Sequence, residues 1–365
     1  MSKRLLLLNW RDLYNPLAGG AEVHIWEVFG RFSADWETYA ICSGFPGAPR
    51  EETIGNIRVL RCGGNYSYPA CLPSAYRELA ARAKPDIVID FLNKLPLMTP
   101  LFVREKLVCF VHHLFGEAAE WETNWLAASA LRTAERLVPS IYRTTPFIVG
   151  SESTGLELAR LGVGKSRIHL VPYGVDVCKY SPGQKAPEPM LLYLGRVKRY
   201  KGIDDLLSIL PNLLQIWPNL TVVVAGDGDY LETVKRHVTE LNLSGHVTCL
   251  GHVSEEEKVE LYRKAWLLFF LSAKEGYGLT VAESALCGTP TVAYDVPGLR
   301  DAIREGETGA LVPYRDLQAL ERRLAELLAN NDPRTRLGEK ALIRFRESSW
   351  DKTSAETERF LEGLL

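Results

Sequence analysis

Four basic residues lie within six positions of one another, directly after a predicted strand. The strand is the apolar run Met190–Leu194, and Gly195 ends it. The basic residues are Arg196, Lys198, Arg199 and Lys201. A planar guanidinium can hold two phosphate oxygens at once, and a lysine ammonium adds a compact positive charge. The pattern therefore indicates a phosphate-binding loop, with a solvated basic loop as the alternative.

A second segment, residues 273–290, combines two carboxylates, two glycines and the start of a helix. Gly276 and Gly278 let backbone N–H groups approach a ligand closely, and a helix start adds partial positive charge. Glu275 precedes the predicted helix Thr280–Cys287, and Glu283 lies one turn inside it. Such a pair can bind sugar hydroxyls at one end and a ribose at the other. The alternative is a helix cap followed by a solvent-facing glutamate.

Two weaker features lie in the first half of the chain. Gly19 and Gly20 lie at the turn between the first predicted strand and the first predicted helix, where a phosphate or a sugar could approach. His112 and His113 follow the predicted strand Leu107–Val111, and either could exchange a hydrogen bond with a substrate hydroxyl. Adjacent strand residues point to opposite faces, so at most one of the two histidines faces a ligand. A structural role is the alternative for each histidine.

The elements that must position these residues alternate between short apolar runs and amphipathic helical patterns. This alternation predicts parallel sheets covered by helices on both faces. Prolines and glycines cluster within residues 172–189, which predicts a linker. We therefore expect Rossmann-like domains over residues 1–175 and 190–345, joined by a linker over 176–189. Ligands bind beyond the carboxyl ends of the strands in such sheets, so a cleft between the two domains is the expected site.

The boundaries of the predicted elements follow from the apolar runs. The strands of the first domain are Leu5–Asn9, Thr38–Cys42, Ile57–Arg61, Ile87–Phe91, Leu107–Val111 and Phe147–Val149. Its helices are Gly20–Phe32, Ser74–Ala83, Glu120–Arg136 and Ser151–Leu161. The strands of the second domain are Met190–Leu194, Leu220–Ala225, Val247–Leu250, Trp266–Leu271, Pro290–Tyr294 and Ala310–Val312. Its helices are Ile203–Ile216, Tyr230–Leu241, Glu255–Tyr262 and Thr280–Cys287, and three helical stretches near Leu317–Ala329, Pro333–Phe345 and Thr353–Leu364 end the chain. Ser151 has the residue type and position of a helix N-cap.

Composition excludes several classes of protein. The chain has 365 residues, 46% of them hydrophobic and 24% charged, and its net charge is −2. Such a balance is typical of folded globular domains and argues against a nucleic-acid partner. Apolar runs such as Ala265–Leu271 are far shorter than the about 20 residues that span a bilayer. The seven cysteines are scattered, as is typical of reduced thiols, so we expect a cytoplasmic protein.

The expected assembly is a monomer or a weak oligomer. One stretch, Trp121–Arg143, mixes Trp, Leu and Arg and could form a peripheral contact with the inner face of a membrane. An ordinary amphipathic surface helix is the alternative interpretation of this stretch.

The motifs also form an ordered set along nearly the whole chain. In chain order they are Gly19-Gly20-Ala21-Glu22, His112 or His113, Ser151, Val171-Pro172-Tyr173-Gly174-Val175-Asp176, Leu194-Gly195-Arg196 with Lys201-Gly202, Gly226-Asp227-Gly228, and the pair Glu275 and Glu283. This set resembles glycosyltransferase family 4, whose members are retaining enzymes of the GT-B fold. The resemblance implies two Rossmann-like domains facing across a cleft, with a C-terminal helix of about residues 346–365 that crosses back onto the first domain.

The resemblance also implies roles for individual residues. Arg196 and Lys201 would neutralise a departing diphosphate, Glu275 would contact the hydroxyls of the donor sugar, and His112 would contact the transferred sugar. The catalytic residues implied are therefore His112, Arg196, Lys201 and Glu275. The donor-binding residues implied are Gly19, Gly20, Arg196, Lys201, Gly276, Tyr277, Gly278, Leu279 and Glu283. Among these, Glu283 would hold the ribose.

The implied reaction moves a hexosyl group from a UDP- or GDP-sugar to a hydroxyl of a glycan, a lipid-linked or a small-molecule acceptor. Fixed cations stabilise the leaving diphosphate, so we expect neither a cofactor nor an obligatory metal. Asp227 and Asp229 resemble a metal-binding acidic pair, but the neighbouring glycines favour a tight turn. A nucleotide-sugar epimerase of the same architecture is the enzymatic alternative. A glycosyltransferase-like binding subunit is the non-catalytic alternative.

Overall fold

The computed structural model describes residues 2–92, 95–116 and 125–365, which divide into two compact units. Unit 1 comprises the described residues up to Gly174 together with Trp350–Leu365. Unit 2 comprises Val175–Ser349. The sequence places these divisions at 175 and at about 346, and the predicted linker 176–189 falls within unit 2.

Unit 1 contains an eight-stranded sheet with the order β3-β4-β2-β1-β5-β6-β7-β8. Its strands are β1 (Lys3–Leu8), β2 (Trp36–Ser43), β3 (Glu51–Ile54), β4 (Ile57–Cys62), β5 (Ile87–Leu92), β6 (Lys106–Val111), β7 (Phe147–Val149) and β8 (Ile168–Leu170). Neighbouring strands are parallel except β3 and β4, which form an antiparallel edge pair. The central strand β5 is fully buried and is apolar apart from Asp90, as expected for a sheet covered on both faces.

The helices of unit 1 cover this sheet. They are α1 (Gly20–Phe29), α2 (Tyr68–Ala83), α3 (Trp125–Ile141), α4 (Glu152–Leu161) and α12 (Trp350–Glu362). The hydroxyl of Ser151 accepts a hydrogen bond from the N–H of Thr154, so Ser151 is the N-cap of α4, as predicted. Helix α12 packs against α1, so the C-terminal helix does return to the first unit.

Unit 2 contains a six-stranded parallel sheet with the order β11-β10-β9-β12-β13-β14. Its strands are β9 (Met190–Leu194), β10 (Thr221–Ala225), β11 (Val247–Gly251), β12 (Leu267–Phe270), β13 (Thr291–Tyr294) and β14 (Gly309–Val312). Its helices are α5 (Ile203–Ile216), α6 (Leu231–Glu240), α7 (Glu255–Lys264), α8 (Leu279–Leu286), α9 (Leu299–Ala302), α10 (Leu317–Ala329) and α11 (Asn331–Arg346).

Several element boundaries differ from the sequence-based prediction. Helix α1 ends at Phe29 rather than Phe32, and α2 begins six residues before Ser74, at Tyr68. The predicted helix Glu120–Arg136 is described only from Trp125, and its residues 120–124 lie outside the described part of the chain. Strands β3 and β8 and the short helix α9 were absent from the prediction, because each has at most four residues and no long apolar run.

Each sheet reverses its strand order at one point. In unit 1 the reversal lies between β1 and β5, and in unit 2 it lies between β9 and β12. Open parallel sheets bind ligands beyond the carboxyl ends of the strands at such a reversal. The loops that follow β9 and β12 are the two segments with the strongest chemical patterns in the sequence, and they leave neighbouring strands at this point.

Candidate active site

The basic loop after β9 is fixed by the turn that follows β10. The N–H of Val197 donates to the carbonyl of Asp227 at 2.9 Å, and the N–H of Gly195 donates to the carbonyl of Ala225 at 3.0 Å. A Cβ at Gly226 would collide with the carbonyl oxygen of Gly195, so only glycine allows this approach. The Gly226-Asp227-Gly228 segment is therefore a tight turn that holds the loop of Arg196 in place.

Lys201 and Glu275 are brought together at the strand reversal of unit 2. The Nζ atom of Lys201 forms an ion pair with the carboxylate of Glu275. Lys201 is 8% exposed, and the side chain of Glu275 is 14% exposed. The same ammonium lies 5.1 Å from the ring centre of Phe270 and 5.2 Å from that of Tyr200. The structure thus joins the two predicted motifs through one pair of opposite charges.

The other basic residues of the loop differ in their surroundings. Lys198 forms an ion pair with Asp229 at 2.6 Å. Arg196 is exposed, and it forms no ion pair with any residue in the described ranges. Its backbone carbonyl accepts a hydrogen bond from the Tyr193 hydroxyl at 2.6 Å, which fixes the main chain and leaves the guanidinium accessible. Arg196 can therefore supply two parallel N–H donors to an anionic ligand.

The loop after β12 ends at the N-terminus of α8. Gly278 is the N-cap and has φ +92°, a conformation that favours glycine. No side chain of the described residues caps this helix, so the N–H groups of its first turn can bind an anion. The ring of Tyr277 packs partly buried against the core of unit 2, and burial raises the pKa of Tyr277 to about 12. Its backbone is therefore the part that can serve the predicted donor site.

Glu283, in α8, is held by two residues that the sequence analysis missed. The Tyr262 hydroxyl donates to its Oε2 at 2.8 Å, and the Lys258 Nζ lies 3.4 Å from its Oε1. Burial alone would lower the pKa of Lys258, but the carboxylates of Glu283 and Glu255 raise it. Lys258 and Tyr262 are four residues apart on α7 and share one helix face, and that spacing was the available signal.

The glycine turn of unit 1 begins α1, as predicted. Gly19 is the N-cap and Gly20 the first helical residue. The carboxylate of Glu22 accepts a hydrogen bond from the N–H of Gly19 at 2.7 Å. This bond ties the turn to the first turn of the helix.

The two adjacent histidines of unit 1 have different surroundings. His112 is 4% exposed, and its Nδ1 lies 2.9 Å from the Tyr173 hydroxyl. Burial, with smaller contributions from His24 and His113, lowers the pKa of His112 well below its ordinary value. His113 is partly exposed, and its ring packs against Phe115. The assignment of His112 to the transferred sugar stays a prediction.

The described residues contain neither a metal-binding cluster nor a membrane-spanning helix. No group of three or more His, Cys, Asp or Glu side chains in residues 2–92, 95–116 and 125–365 could hold a metal ion. Within the same ranges, no helix is long and apolar enough to cross a membrane.

Solved structures define the class of the fold. Sucrose-phosphate synthase from Thermosynechococcus elongatus has a TM-score of 0.86 with this chain, at 21% identity and with 99% of both chains covered. HepE of Anabaena, solved with UDP and glucose, has a TM-score of 0.79 at 17% identity, over 99% of this chain and all of the other. The glycosyltransferase WaaG has a TM-score of 0.76 at 16% identity. The fold is that of the GT-B proteins, with two α/β units built on parallel sheets.

Two family models match the chain in succession. The model described as Glycosyltransferase Family 4 matches residues 18–179, and the model described as Glycosyl transferases group 1 matches residues 179–344. The chain therefore belongs to family 4 of the glycosyltransferases.

Two curated proteins that are similar to this chain share a name. The D-inositol 3-phosphate glycosyltransferase of Nocardia farcinica is 33% identical over 221 residues, which cover 56% of this chain and 48% of that protein. The protein of the same name from Corynebacterium urealyticum is 32% identical over 220 residues, which cover 55% of this chain and 52% of that protein. The chain spans about half the length of the curated relatives that it matches.

Proposed function

We propose that this protein is a retaining glycosyltransferase that moves a hexosyl group from a nucleoside-diphosphate sugar to an acceptor hydroxyl. The observation that carries the proposal is the Lys201–Glu275 ion pair at the strand reversal of unit 2. It combines a cation for a diphosphate with a carboxylate for sugar hydroxyls. UDP is the first candidate for the nucleotide, because HepE was solved with UDP, and GDP is the second.

The charge that develops on the leaving diphosphate decides the roles of the cations. Bond cleavage at the anomeric carbon leaves negative charge on the phosphate oxygens, and donors fixed beforehand stabilise that charge. Arg196 would bind two of these oxygens, and Lys201 would approach from the buried side. The N–H of Leu279, at the start of α8, would add a backbone donor.

The two glutamates would orient the donor at its two ends. Glu275 would accept hydrogen bonds from sugar hydroxyls while its ion pair with Lys201 fixes the carboxylate in place. Glu283 would accept from the ribose hydroxyls, with Tyr262 and Lys258 fixing its carboxylate. A carboxylate oxygen has two lone pairs, so these internal bonds leave room for a ligand hydroxyl.

Unit 1 would bind the acceptor and contact the transferred sugar. Gly19 and Gly20 would allow close approach at the start of α1, and His112 would contact the sugar near the reacting carbon. The relatives named for D-inositol 3-phosphate favour a polyhydroxylated acceptor, and glycans and lipid-linked sugars share that chemistry.

A surface on α3 supports a peripheral membrane contact for this acceptor chemistry. Trp125 is 72% exposed, Leu126 is exposed beside it, and Arg136 is exposed on the same helix. The Glu135 carboxylate turns inward and accepts hydrogen bonds from the N–H groups of Phe115 and Gly116.

The membrane contact is tested by co-sedimentation with phosphatidylglycerol vesicles. The double variant Trp125→Ala/Leu126→Ala should bind the vesicles less than the wild type does. The control variant Leu156→Ala, which changes another exposed leucine, should bind them as the wild type does. Equal co-sedimentation of both variants would contradict this contact. The residues Trp121–Asn124 of the predicted stretch lie outside the described part of the chain.

We also propose that the reaction needs no metal and takes place in the cytoplasm. All seven cysteines are free thiols, which supports a reducing compartment. Protein treated with EDTA should keep its activity. Complete loss that Mg²⁺ or Mn²⁺ restores would overturn the proposal for the metal.

The function is tested by ligand screening followed by product analysis. Those of UDP, GDP and their hexose conjugates that bind should raise the melting temperature, and a tighter ligand should raise it more at equal concentration, since a ligand that binds only the folded state stabilises it. Proton NMR of the product with a polyol acceptor should show the anomeric configuration of the donor. An inverted product would refute retention. An epimerised nucleotide sugar without transfer would favour the epimerase, and tight binding without turnover would favour a binding subunit.

A further inference from the structure

Three polar rings meet in the interior of unit 1. They belong to His112, which follows β6, to Tyr173, which follows β8, and to His24 in α1. The ring centre of His24 lies 5.1 Å from the ring centre of His112 and 4.9 Å from that of Tyr173. All three residues are buried, and Phe110 and Trp350 pack against the same group.

The position of Tyr173 is tightly constrained. The Tyr173 ring packs directly against the backbone of Gly150, just after β7, and a Cβ at Gly150 would collide with it. The opposite side of the cluster is closed by His24. The Tyr173 hydroxyl therefore has little freedom to leave its position 2.9 Å from the Nδ1 of His112.

The two nitrogens of the His112 ring differ in their partners. Nδ1 faces the Tyr173 hydroxyl, whereas Nε2 is buried and has no hydrogen-bond partner among the described residues. A buried polar atom without a partner destabilises the folded state, and a ligand atom that supplies the partner removes this cost. Burial keeps His112 neutral at ordinary pH because it lowers the pKa of the ring. A neutral imidazole has one N–H and one acceptor nitrogen.

We propose that Tyr173 is a positioning residue that holds His112 in the tautomer with the proton on Nε2. The 2.9 Å contact by itself allows either group to be the donor. In the proposed tautomer the phenol O–H donates to Nδ1, so that nitrogen carries no proton. Nε2–H is then a hydrogen-bond donor for an oxygen of the sugar that is transferred. The proposal rests on the proposed function for the identity of that oxygen, but the tautomer itself is a property of the free protein.

The tautomer is measured by ¹⁵N NMR of the histidine rings in the full chain without ligand. The His112 signals are assigned by their loss in His112→Gln. In the wild type, Nε2 should show the shift of a protonated ring nitrogen and Nδ1 that of an unprotonated one. In Tyr173→Phe the two tautomers should mix. A proton on Nδ1 in the wild type, or an unchanged spectrum in Tyr173→Phe, would overturn the proposal.

A matched control is available in the same unit. Tyr142 is also a buried tyrosine, but its hydroxyl donates to Asp90 at 2.6 Å rather than to a histidine. Tyr142→Phe should therefore lower stability while leaving the His112 tautomer unchanged. A shift of the His112 signals as large as in Tyr173→Phe would show that any lost buried hydroxyl perturbs the ring, and it would contradict the specific role of Tyr173.

Kinetics add a second readout. Tyr173→Phe should lower kcat about 10-fold, the equivalent of one net hydrogen bond, while the donor KM stays within about twofold. Tyr142→Phe should leave both constants within about twofold. A tautomer as expected with unaltered kcat in Tyr173→Phe would refute the catalytic part of the proposal. Absence of any transfer by the wild type would instead be a failure of the proposed function, and the NMR result would still decide the tautomer.

Discussion

Replacing Lys201 by methionine removes one buried cation and keeps most of the side-chain volume. The Nζ atom pairs with Glu275, and it lies within about 5 Å of two aromatic ring centres. At an effective dielectric of about 20, two unit charges about 4 Å apart interact by about 4 kcal/mol. Removing one fixed donor from a developing oxyanion typically costs about 100-fold or more in rate, which is of the same order. Lys201→Met should therefore reduce kcat/KM by about 100-fold or more, or about 2.7 kcal/mol.

The same change also affects stability, and the two effects can be separated. Without Lys201, the carboxylate of Glu275 remains mostly buried and unpaired, which costs about 1–3 kcal/mol of folding free energy. The double variant Lys201→Met/Glu275→Gln removes that unpaired charge, so it should recover most of the melting temperature that Lys201→Met loses. It should not regain activity, because the cation for the diphosphate is still absent.

The assay is steady-state transfer from a UDP- or GDP-hexose, with melting temperatures measured in parallel. Arg199→Ala is the matched control, because Arg199 is an exposed basic residue two positions before Lys201. It should keep kcat/KM within about threefold. Equal losses in Lys201→Met and Arg199→Ala would show that only the overall charge of the loop matters. Activity of Lys201→Met within about threefold of the wild type would refute the reasoning.

Three further predictions concern other residues. Lys258→Met should raise the donor KM about 10-fold with little change in kcat, because Lys258 fixes Glu283 on the proposed ribose side, and an unchanged KM in steady-state kinetics would contradict this. Burial lowers the pKa of His24 to about 3, whereas the same ring in the unfolded chain has its ordinary pKa of 6.5. Between these two values only the unfolded chain binds the proton, so the free energy of unfolding falls by about 1.4 kcal/mol for each pH unit below 6.5. His24→Phe should lessen this acid loss in urea titrations at pH 6.5 and 4.5. Burial raises the pKa of Asp90 to about 6, so the folded state holds this proton more tightly than the unfolded chain does. The contribution of Asp90 to the free energy of unfolding therefore falls as pH rises from about 4 to 6, opposite in sign to that of His24, and Asp90→Asn should remove this dependence in the same urea titrations.

The sequence was sufficient for the elements with long periodic patterns. Met190–Leu194 and Ile203–Ile216 have the predicted bounds, because an unbroken apolar run and a strong helical period specify them. Strand β3, Glu51–Ile54, could not be found this way. It is a short, polar edge strand whose conformation depends on antiparallel pairing with β4.

The sequence also predicts which residues belong to the candidate site, but it does not predict which of them form pairs. Lys201 and Glu275 are 74 positions apart, and they meet because β9 and β12 are neighbours. No local pattern specifies that pairing. The bond between Tyr173 and His112 likewise depends on how β6, β7 and β8 lie side by side. Long-range strand order therefore determines the geometry that residue types alone leave open.

The crystal structure of this chain with bound UDP tests the central claim most directly. We predict that oxygens of the diphosphate lie within hydrogen-bond distance of the Arg196 guanidinium and the Lys201 Nζ, with the N–H of Leu279 as a further donor. A well-ordered diphosphate that neither side chain reaches would contradict the account.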